Sequence, residues 1–219
     1  MDRESITSQE EIPEHEIITR ILKGEKELYA IIVRRYNQRL YRVGMSILND
    51  DSDVEDAMQV AYIHAYESLG NFGFRSGFGT WITRIMVNEC LLRSKKKGKI
   101  LITDDEKIEK MMLHSETPET PATKALNDEL KKILNDAIGR LPEIYRTVFV
   151  MREVENMSIA ETQHCLNISD VNVKVRLNRA KAMLKDLLSS YYKKEDIFHF
   201  HLSRCDRMVD AVMKHVRLH

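Results

Sequence analysis

NFGFRSGFGTWITRIMVNECLLRSKKKGK, from Asn71 to Lys99, is the stretch around which this chain of 219 residues is organised. It opens with a loop rich in glycine and phenylalanine, and it continues into a helical pattern that carries the only tryptophan, Trp81. It ends in a run of cations, with no acidic residue after Glu89. Exposed aromatic rings stack on unstacked bases, while cations follow the phosphates. The stretch therefore favours binding of single-stranded or opening duplex nucleic acid.

Two of these features also have a plain structural explanation. Trp81 is equally typical of an anchor in the core of a small helical domain. The lysine run at 95–97 is also typical of solvated charge that complements the dipole at the end of a helix. Both alternatives stay open on the sequence alone.

Composition predicts an all-α chain. Only 8 glycines and 4 prolines occur, 43% of the residues are hydrophobic and 31% are charged. Lys+Arg and Asp+Glu both total 34, so net charge says nothing about partners, but the distribution does. Acidic residues cluster at 104–119 and basic ones at 174–194. We expect two small helical domains joined by a flexible acidic linker.

The cysteines and the N-terminal residues indicate the cellular compartment of the protein. The 3 cysteines are widely spaced and form no CxxC pair, which is typical of a reducing environment. The first 16 residues are acidic and polar, unlike a signal peptide. No apolar run approaches the ~18 residues of a membrane span. The sequence predicts a cytoplasmic protein without membrane insertion.

The helix predicted before the aromatic loop has two different faces. Ser52 or Asp53 is the expected N-cap, and Gly70 is the expected C-terminal cap. One face is apolar and belongs in a core. The opposite face is either solvated with two stray aliphatic residues or a docking surface for another protein; it carries Asp56, Gln59, Val60, Ile63 and Glu67.

The second half of the chain predicts a helix-turn-helix. Pro142 suits the first position of a helix. Ser158 and Glu161 have the spacing of a capping box. Asn167 can adopt the left-handed conformation of a tight turn, and Ser169 can cap the longer, cationic helix that follows.

That longer helix has an inward and an outward face. The apolar inward positions are Val173, Leu177, Ala180, Leu184 and Leu188. The outward positions are Val171, Val175, Asn178 and Ala182, flanked by Lys174 and Arg179. An outward aliphatic group can contact a thymine methyl, Asn can bind adenine, and Arg can bind guanine or phosphate. The alternative is an ordinary helical hairpin with a charged face.

The last residues predict a packing tail rather than a metal site. His199, His201 and Cys205 are ligand types for a metal, but the other half of a ligand set is not evident. Glycine-rich phosphate loops and activated nucleophiles are not evident either. We therefore expect neither cofactor nor metal, and a protein that is not an enzyme.

The order of these motifs resembles the bacterial sigma factors of the sigma-70 family, of the extracytoplasmic-function (ECF) type. The similarity covers about residues 15–97 and 124–190. Four strings carry it: DVEDAMQVAYIHAY at 53–66; the Asn71–Asn88 segment with Phe72, Phe74, Trp81 and Arg84; LPE at 141–143 with Arg146; and VKVRLNRAK at 173–181.

The resemblance implies a factor that binds RNA polymerase core and directs it to promoters. By position, the residues that contact core polymerase would be Asp56, Gln59, Val60 and Ile63. The residues that capture one melted strand at the minus-ten element would be Phe72, Phe74, Arg75, Trp81, Arg84, Asn88, Arg93, Lys95 and Lys96. The residues that bind the minus-thirty-five element would be Ser169, Asn172, Lys174, Val175, Arg176, Asn178 and Arg179.

The resemblance also implies a division of the chain and a set of partners. The expected segments are a disordered N-terminus (1–13), sigma region 2 (14–97), a linker (98–123), sigma region 4 (124–190) and a C-terminal extension (191–219). Partners would be RNA polymerase core, promoter DNA and, in some members, an anti-sigma factor. The free form would be a monomer.

Several positions depart from the family pattern. Val60 stands where an acidic residue is usual, so the details of polymerase docking are expected to differ. Thr162 and Gln163 replace an apolar–alanine pair, and Asn167 replaces the usual turn glycine. Asp170-Val171-Asn172 replaces a Glu-Gly-Thr-like cap, so promoter preference is not transferable. The alternative function is a stand-alone helix-turn-helix regulator. That alternative gives the Asn71–Lys99 stretch no role beyond packing in the core.

Overall fold

The computed structural model describes residues 12–74, 76–97, 124–189, 207–209 and 213. The predicted disordered N-terminus up to residue 11, Arg75, the linker, and the tail ligands His199, His201 and Cys205 lie outside them. The described residues form helices and turns with no strand, which confirms the all-α prediction. The α-helices are α1 (Glu14–Leu22), α2 (Tyr29–Leu48), α3 (Asp51–Glu67), α4 (Phe78–Lys96), α5 (Lys124–Arg140), α6 (Glu143–Phe149), α7 (Ile159–Leu166) and α8 (Asp170–Ser189).

Helices α2, α3 and α4 pack together as a three-helix bundle, with α1 against α2. Gly44 allows the close approach of α2 to its two neighbours. A Cβ at this position would lie 2.6 Å from Met86 Cε on α4 and 2.8 Å from Val54 Cγ1 on α3. Any larger side chain at this position would therefore force Met86 and Val54 to shift.

Helix α3 begins and ends earlier than predicted. Its N-cap is Asp50, whose extended backbone lets its side chain accept a hydrogen bond from the Asp53 backbone N–H at 3.0 Å. The prediction of Ser52 or Asp53 as N-cap is therefore wrong, since both lie inside the first turn. Gly70 is not the C-terminal cap, because α3 ends at Glu67 and a 3₁₀ turn, Leu69–Asn71, follows.

The predicted helix-turn-helix is present as α7 and α8. Glu161 Oε2 accepts from the Ser158 backbone N–H at 2.7 Å, and Ser158 Oγ accepts from the Glu161 N–H at 3.1 Å, which completes the capping box. Asn167 ends α7 in the left-handed region at φ 52° and ψ 46°. Ser169 Oγ caps α8 by accepting from the Asn172 N–H at 3.2 Å. Pro142 serves as the N-cap of α6 rather than its first residue.

The C-terminal helices also pack onto the N-terminal bundle. A π-helical turn (Val150–Val154) extends α6, and its Met151 joins Met157 and Cys165 in the core formed by the bundle. Arg146 Nε and Thr147 Oγ1 both donate to the Ser46 carbonyl, at 2.7 and 3.2 Å. That carbonyl lies in the last turn of α2, where carbonyls lack partners within the helix. The two units therefore share a polar and an apolar interface.

Candidate nucleic-acid interface

The aromatic residues of the loop and of the first turn of α4 form a packed cluster with one exposed ring. Phe72 and Phe78 expose only 7% and 0% of their surfaces, whereas Phe74 exposes 56%. The expectation that this loop presents several rings to solvent is therefore wrong for Phe72 and Phe78. Burial of aromatic surface is strongly stabilising, so these two rings support the loop, while more than half of the Phe74 surface faces solvent.

Trp81 completes this cluster. Its ring centroid lies 5.2 Å from those of both Phe72 and Phe78. The side chain is half-buried. This packing is that of an anchor, which ties the loop to the first turn of α4.

Phe74 has an unusual backbone as well as an exposed ring. Its φ is 52°, in the left-handed region that costs energy for a bulky residue. The ring still lies close to that of Phe72, with centroids 4.7 Å apart. The fold thus holds an aromatic side chain outward at the cost of local strain, which is a feature of functional loops.

Glu14 on α1 fixes the beginning of α4. Its Oε1 accepts from the Phe78 backbone N–H at 3.2 Å, and its Oε2 accepts from the Tyr36 hydroxyl. A carboxylate at a helix N-terminus satisfies an unpaired N–H and complements the dipole. Sequence reasoning missed this residue, because the partners are 64 positions apart and no local pattern joins them.

The polar groups predicted for strand capture fall into two classes. Asn88, Lys95 and Lys96 are exposed on α4. Arg93 is engaged within the bundle, with Nε 2.8 Å from Glu89 Oε1 and Nη1 3.5 Å from Asp56 Oδ2. The exposed class places an amide in the middle of α4 and two cations at its C-terminal end.

Arg84 also has a partner, but it belongs to the C-terminal unit. Its Nη1 lies 2.9 Å from His164 Nε2 on α7. Arg84, predicted to capture a strand, is thus held by the helix-turn-helix.

The outer face of α3 is exposed as the sequence predicted. Asp56, Gln59 and Ile63 are exposed, and Val60 is half-buried. Ile63 exposes 49% of its surface next to polar neighbours. A large aliphatic side chain surrounded by carboxylate and amide groups has the chemistry of a protein-docking surface.

Helix α8 separates its two faces as predicted. Val173, Ala180 and Leu184 are buried, while Asn172, Lys174, Val175 and Asn178 are exposed, and the cap residue Ser169 is exposed as well. Arg176 is half-buried, and the exposed Arg179 donates from Nη1 to the Tyr145 hydroxyl at 3.2 Å. The outward face therefore presents an amide, an aliphatic group and cations together, which is the mixture that major-groove recognition uses.

Neither a membrane span nor a metal-binding cluster occurs among the described residues. None of the described helices is long and apolar enough to cross a membrane. Within the same residues, His, Cys, Asp and Glu form no group of three or more that could hold a metal ion.

Comparison with known proteins matches both halves of the chain. Residues 32–100 match the family model of sigma-70 region 2, and residues 131–184 match that of sigma-70 region 4. The ECF RNA polymerase sigma factor SigW of Bacillus subtilis is 30% identical over 176 residues, which cover 78% of this chain and 94% of that protein. The chain belongs to the ECF sigma factors. The ECF RNA polymerase sigma-E factor of Haemophilus influenzae is 27% identical over 183 residues, covering 81% of this chain and 96% of that protein.

Two solved structures share the fold of this ECF sigma factor. CnrH in complex with the cytosolic domain of CnrY aligns with a TM-score of 0.55 and 22% identity, covering 80% of this chain and 96% of that chain. The sigma factor RpoE, in complex with the anti-sigma factor NepR from Bartonella quintana, aligns with a TM-score of 0.55 and 18% identity, covering 74% and 96%. At these identities the likeness is one of fold.

Proposed function

We propose that the chain binds RNA polymerase core, directs it to a set of promoters and supports strand opening there. The observation that supports this function is the presence of two chemically different exposed surfaces in one ECF sigma factor, each suited to a different form of nucleic acid. One is the exposed Phe74 ring with Asn88, Lys95 and Lys96 on α4, and the other is the outward face of α8.

The α4 surface suits a melted strand. The exposed ring of Phe74 offers a stacking face, and base–aromatic stacking contributes about 1–3 kcal/mol per base. Asn88 offers an amide for the edge of an unpaired base, and Lys95 and Lys96 offer charge for the phosphates. Extruding a base costs a few kcal/mol, and a loop already ordered by the Phe72–Trp81 cluster offsets part of that cost.

The α8 surface suits duplex DNA. Asn178 and Val175 can contact base edges, and Lys174 and Arg179 can contact phosphates. We assign this surface to the minus-thirty-five element and the α4 surface to the minus-ten element.

The same proposal divides the chain. Residues 14–97 act as region 2 and residues 124–190 as region 4, joined by the linker at 98–123 and followed by the extension at 191–219. An anti-sigma factor is a further proposed partner, and the complex of RpoE with the anti-sigma factor NepR supports it through the shared fold.

Polymerase docking is proposed on the outer face of α3, and one pair of variants tests it. Ile63→Asp places a charge in the middle of this face and should weaken binding to purified bacterial core polymerase by at least tenfold, because a central apolar contact is lost. Leu22→Asp is the matched control, since Leu22 on α1 exposes 53% of its surface against 49% for Ile63. Affinity is measured by titrating core into labelled protein.

The outcome distinguishes the docking face from a solvated face. If Ile63→Asp and Leu22→Asp bind core equally well, α3 does not dock on polymerase. The relatives described above are sigma factors and lend no support to the alternative of a stand-alone regulator.

A further inference from the structure

Helix α1 contacts both ends of the loop that carries Phe74. At the start of this loop, α1 packs against the 3₁₀ turn Leu69–Asn71. At its end, Glu14 Oε1 on α1 accepts from the Phe78 backbone N–H at 3.2 Å. A helix that is distant in the sequence therefore stabilises the loop from both sides.

The first turn of α4 depends on Glu14 for its cap. The N-cap residue of α4 is Gly77, which has no side chain that could accept a hydrogen bond from this turn. The Glu14 carboxylate supplies the acceptor instead, and its negative charge complements the helix dipole. Removal of this carboxylate would leave the Phe78 N–H without its partner and loosen the turn that ends the loop.

Tyr36 on α2 fixes the position of the Glu14 carboxylate. Its hydroxyl donates to Glu14 Oε2, and its ring lies 5.6 Å from that of Phe78 between centroids. Gly79 permits this close approach, because a Cβ at position 79 would lie 2.9 Å from Tyr36 Cε1. Helices α1, α2 and α4 thus meet at one carboxylate.

The aromatic cluster connects this contact with the exposed ring of Phe74. Ring centroids lie 5.4 Å apart between Phe78 and Phe72, and 4.7 Å apart between Phe72 and Phe74. The left-handed backbone of Phe74, at φ 52°, is of the strained kind that persists only where surrounding contacts hold it. A shift of the first turn of α4 would therefore change the orientation of the Phe74 ring.

We propose that Glu14 is a positioning residue for strand capture: through Phe78 and the aromatic cluster, it holds the Phe74 ring in the orientation that stacks on an unpaired base. This inference rests on the proposed function of the loop. It adds a residue that lies outside the match to region 2, which begins at residue 32. The effect of Glu14 is indirect, because its carboxylate is engaged with Tyr36 and Phe78.

Two substitutions of Glu14 and one matched control test this role in the full chain. Glu14→Ala removes the carboxylate. Glu14→Gln keeps an oxygen that can accept from the Phe78 N–H and gains an amide N–H that can donate to the Tyr36 hydroxyl oxygen. Glu16→Ala is the control, because it removes the same group from an exposed position in the same turn of α1.

The first readout is the packing of the loop in the free chain. Trp81 is the only tryptophan, and its ring centroid lies 5.2 Å from those of Phe72 and Phe78. Quenching of its fluorescence by acrylamide should increase in Glu14→Ala and stay at the wild-type level in Glu14→Gln and Glu16→Ala. This measurement needs no polymerase, so it tests the packing of the loop by itself.

The second readout is the ratio of open to closed complex with core polymerase, measured by permanganate footprinting on a promoter that the wild-type chain opens. Glu14→Ala should lower this ratio about three- to tenfold, the factor to which the loss of a helix cap corresponds. Glu14→Gln should restore most of the loss, and Glu16→Ala should match the wild type. Affinity for core polymerase should not change, because that contact is assigned to the outer face of α3.

The inference is overturned if Trp81 is quenched equally in Glu14→Ala and Glu16→Ala, or if quenching increases while the ratio of open to closed complex stays at the wild-type value. It is also overturned if affinity for core polymerase falls as much as that ratio, because a general loss of folding would then explain both. Failure of the proposed function is distinct, since the wild-type chain itself would bind no core polymerase and open no promoter.

Discussion

Asn88 is the residue on which the strand-capture proposal depends most directly. It is exposed on α4, one turn beyond Arg84, and its amide can bind the edge of an unpaired base. Asn88→Ala removes base-edge hydrogen bonding without disturbing the core. We expect unchanged binding to duplex DNA and to core polymerase, with a reduced fraction of open complex.

Permanganate footprinting of the melted strand measures that fraction. A control on the same helix is Lys96→Ala, which removes charge and should weaken binding more generally. An Asn88→Ala footprint identical to that of the wild type would show that the amide takes no part in strand capture.

Arg179 is the corresponding residue on α8. If it binds a phosphate, Arg179→Ala should weaken promoter binding and reduce the slope of log K against log salt by about 0.9. The structure adds a control, since Arg179 also donates to the Tyr145 hydroxyl. Tyr145→Phe removes that contact but no charge, and it should leave the slope unchanged. An unaltered slope in Arg179→Ala would place this side chain away from phosphate.

At the scale of elements, the turn between α7 and α8 depends on Asn167. Its φ of 52° is unfavourable for residues with a Cβ, by roughly 1–2 kcal/mol, but not for glycine. Asn167→Ala should therefore lower the free energy of unfolding by about 1 kcal/mol, and Asn167→Gly should leave it unchanged or raise it.

Urea denaturation compares the two variants, with Gln163→Ala on the same helix as a control for the loss of a polar side chain. Equal stabilities for Asn167→Ala and Asn167→Gly would mean that the left-handed conformation is not required.

Elements were predictable where one local signal decided them. The capping box of Ser158 and Glu161 needs only residues three apart, and the turn at Asn167 needs only one residue of the right type. The predicted start of α3 was wrong because Asp50, Ser52 and Asp53 are all good N-cap residues. Only the backbone conformation decides which of them caps the helix. The predicted exposure of Phe72 and Phe78 was wrong because three phenylalanines in a loop show no periodicity. Without periodicity, the sequence does not indicate which side chains are buried and which are exposed.

At the scale of the molecule, both units and their faces followed from apolar periodicity, and their order along the chain indicated the family. The packing of the C-terminal unit on the N-terminal bundle could not be predicted from this periodicity. It depends on Arg146 and Thr147 reaching the Ser46 carbonyl, about 100 positions away. Nor did the Arg84–His164 contact follow, since each residue alone is typical of a solvated helix surface.

Promoter-dependent transcription tests the central claim most directly. Purified bacterial core polymerase is mixed with the full chain and a pool of genomic promoter fragments, and the 5′ ends of the run-off transcripts are sequenced. The account predicts transcripts that start at a defined subset of fragments sharing two sequence elements, that require the chain, and that are lost with Ile63→Asp but kept with Leu22→Asp. No chain-dependent start from any fragment, with an active core preparation, would contradict the claim.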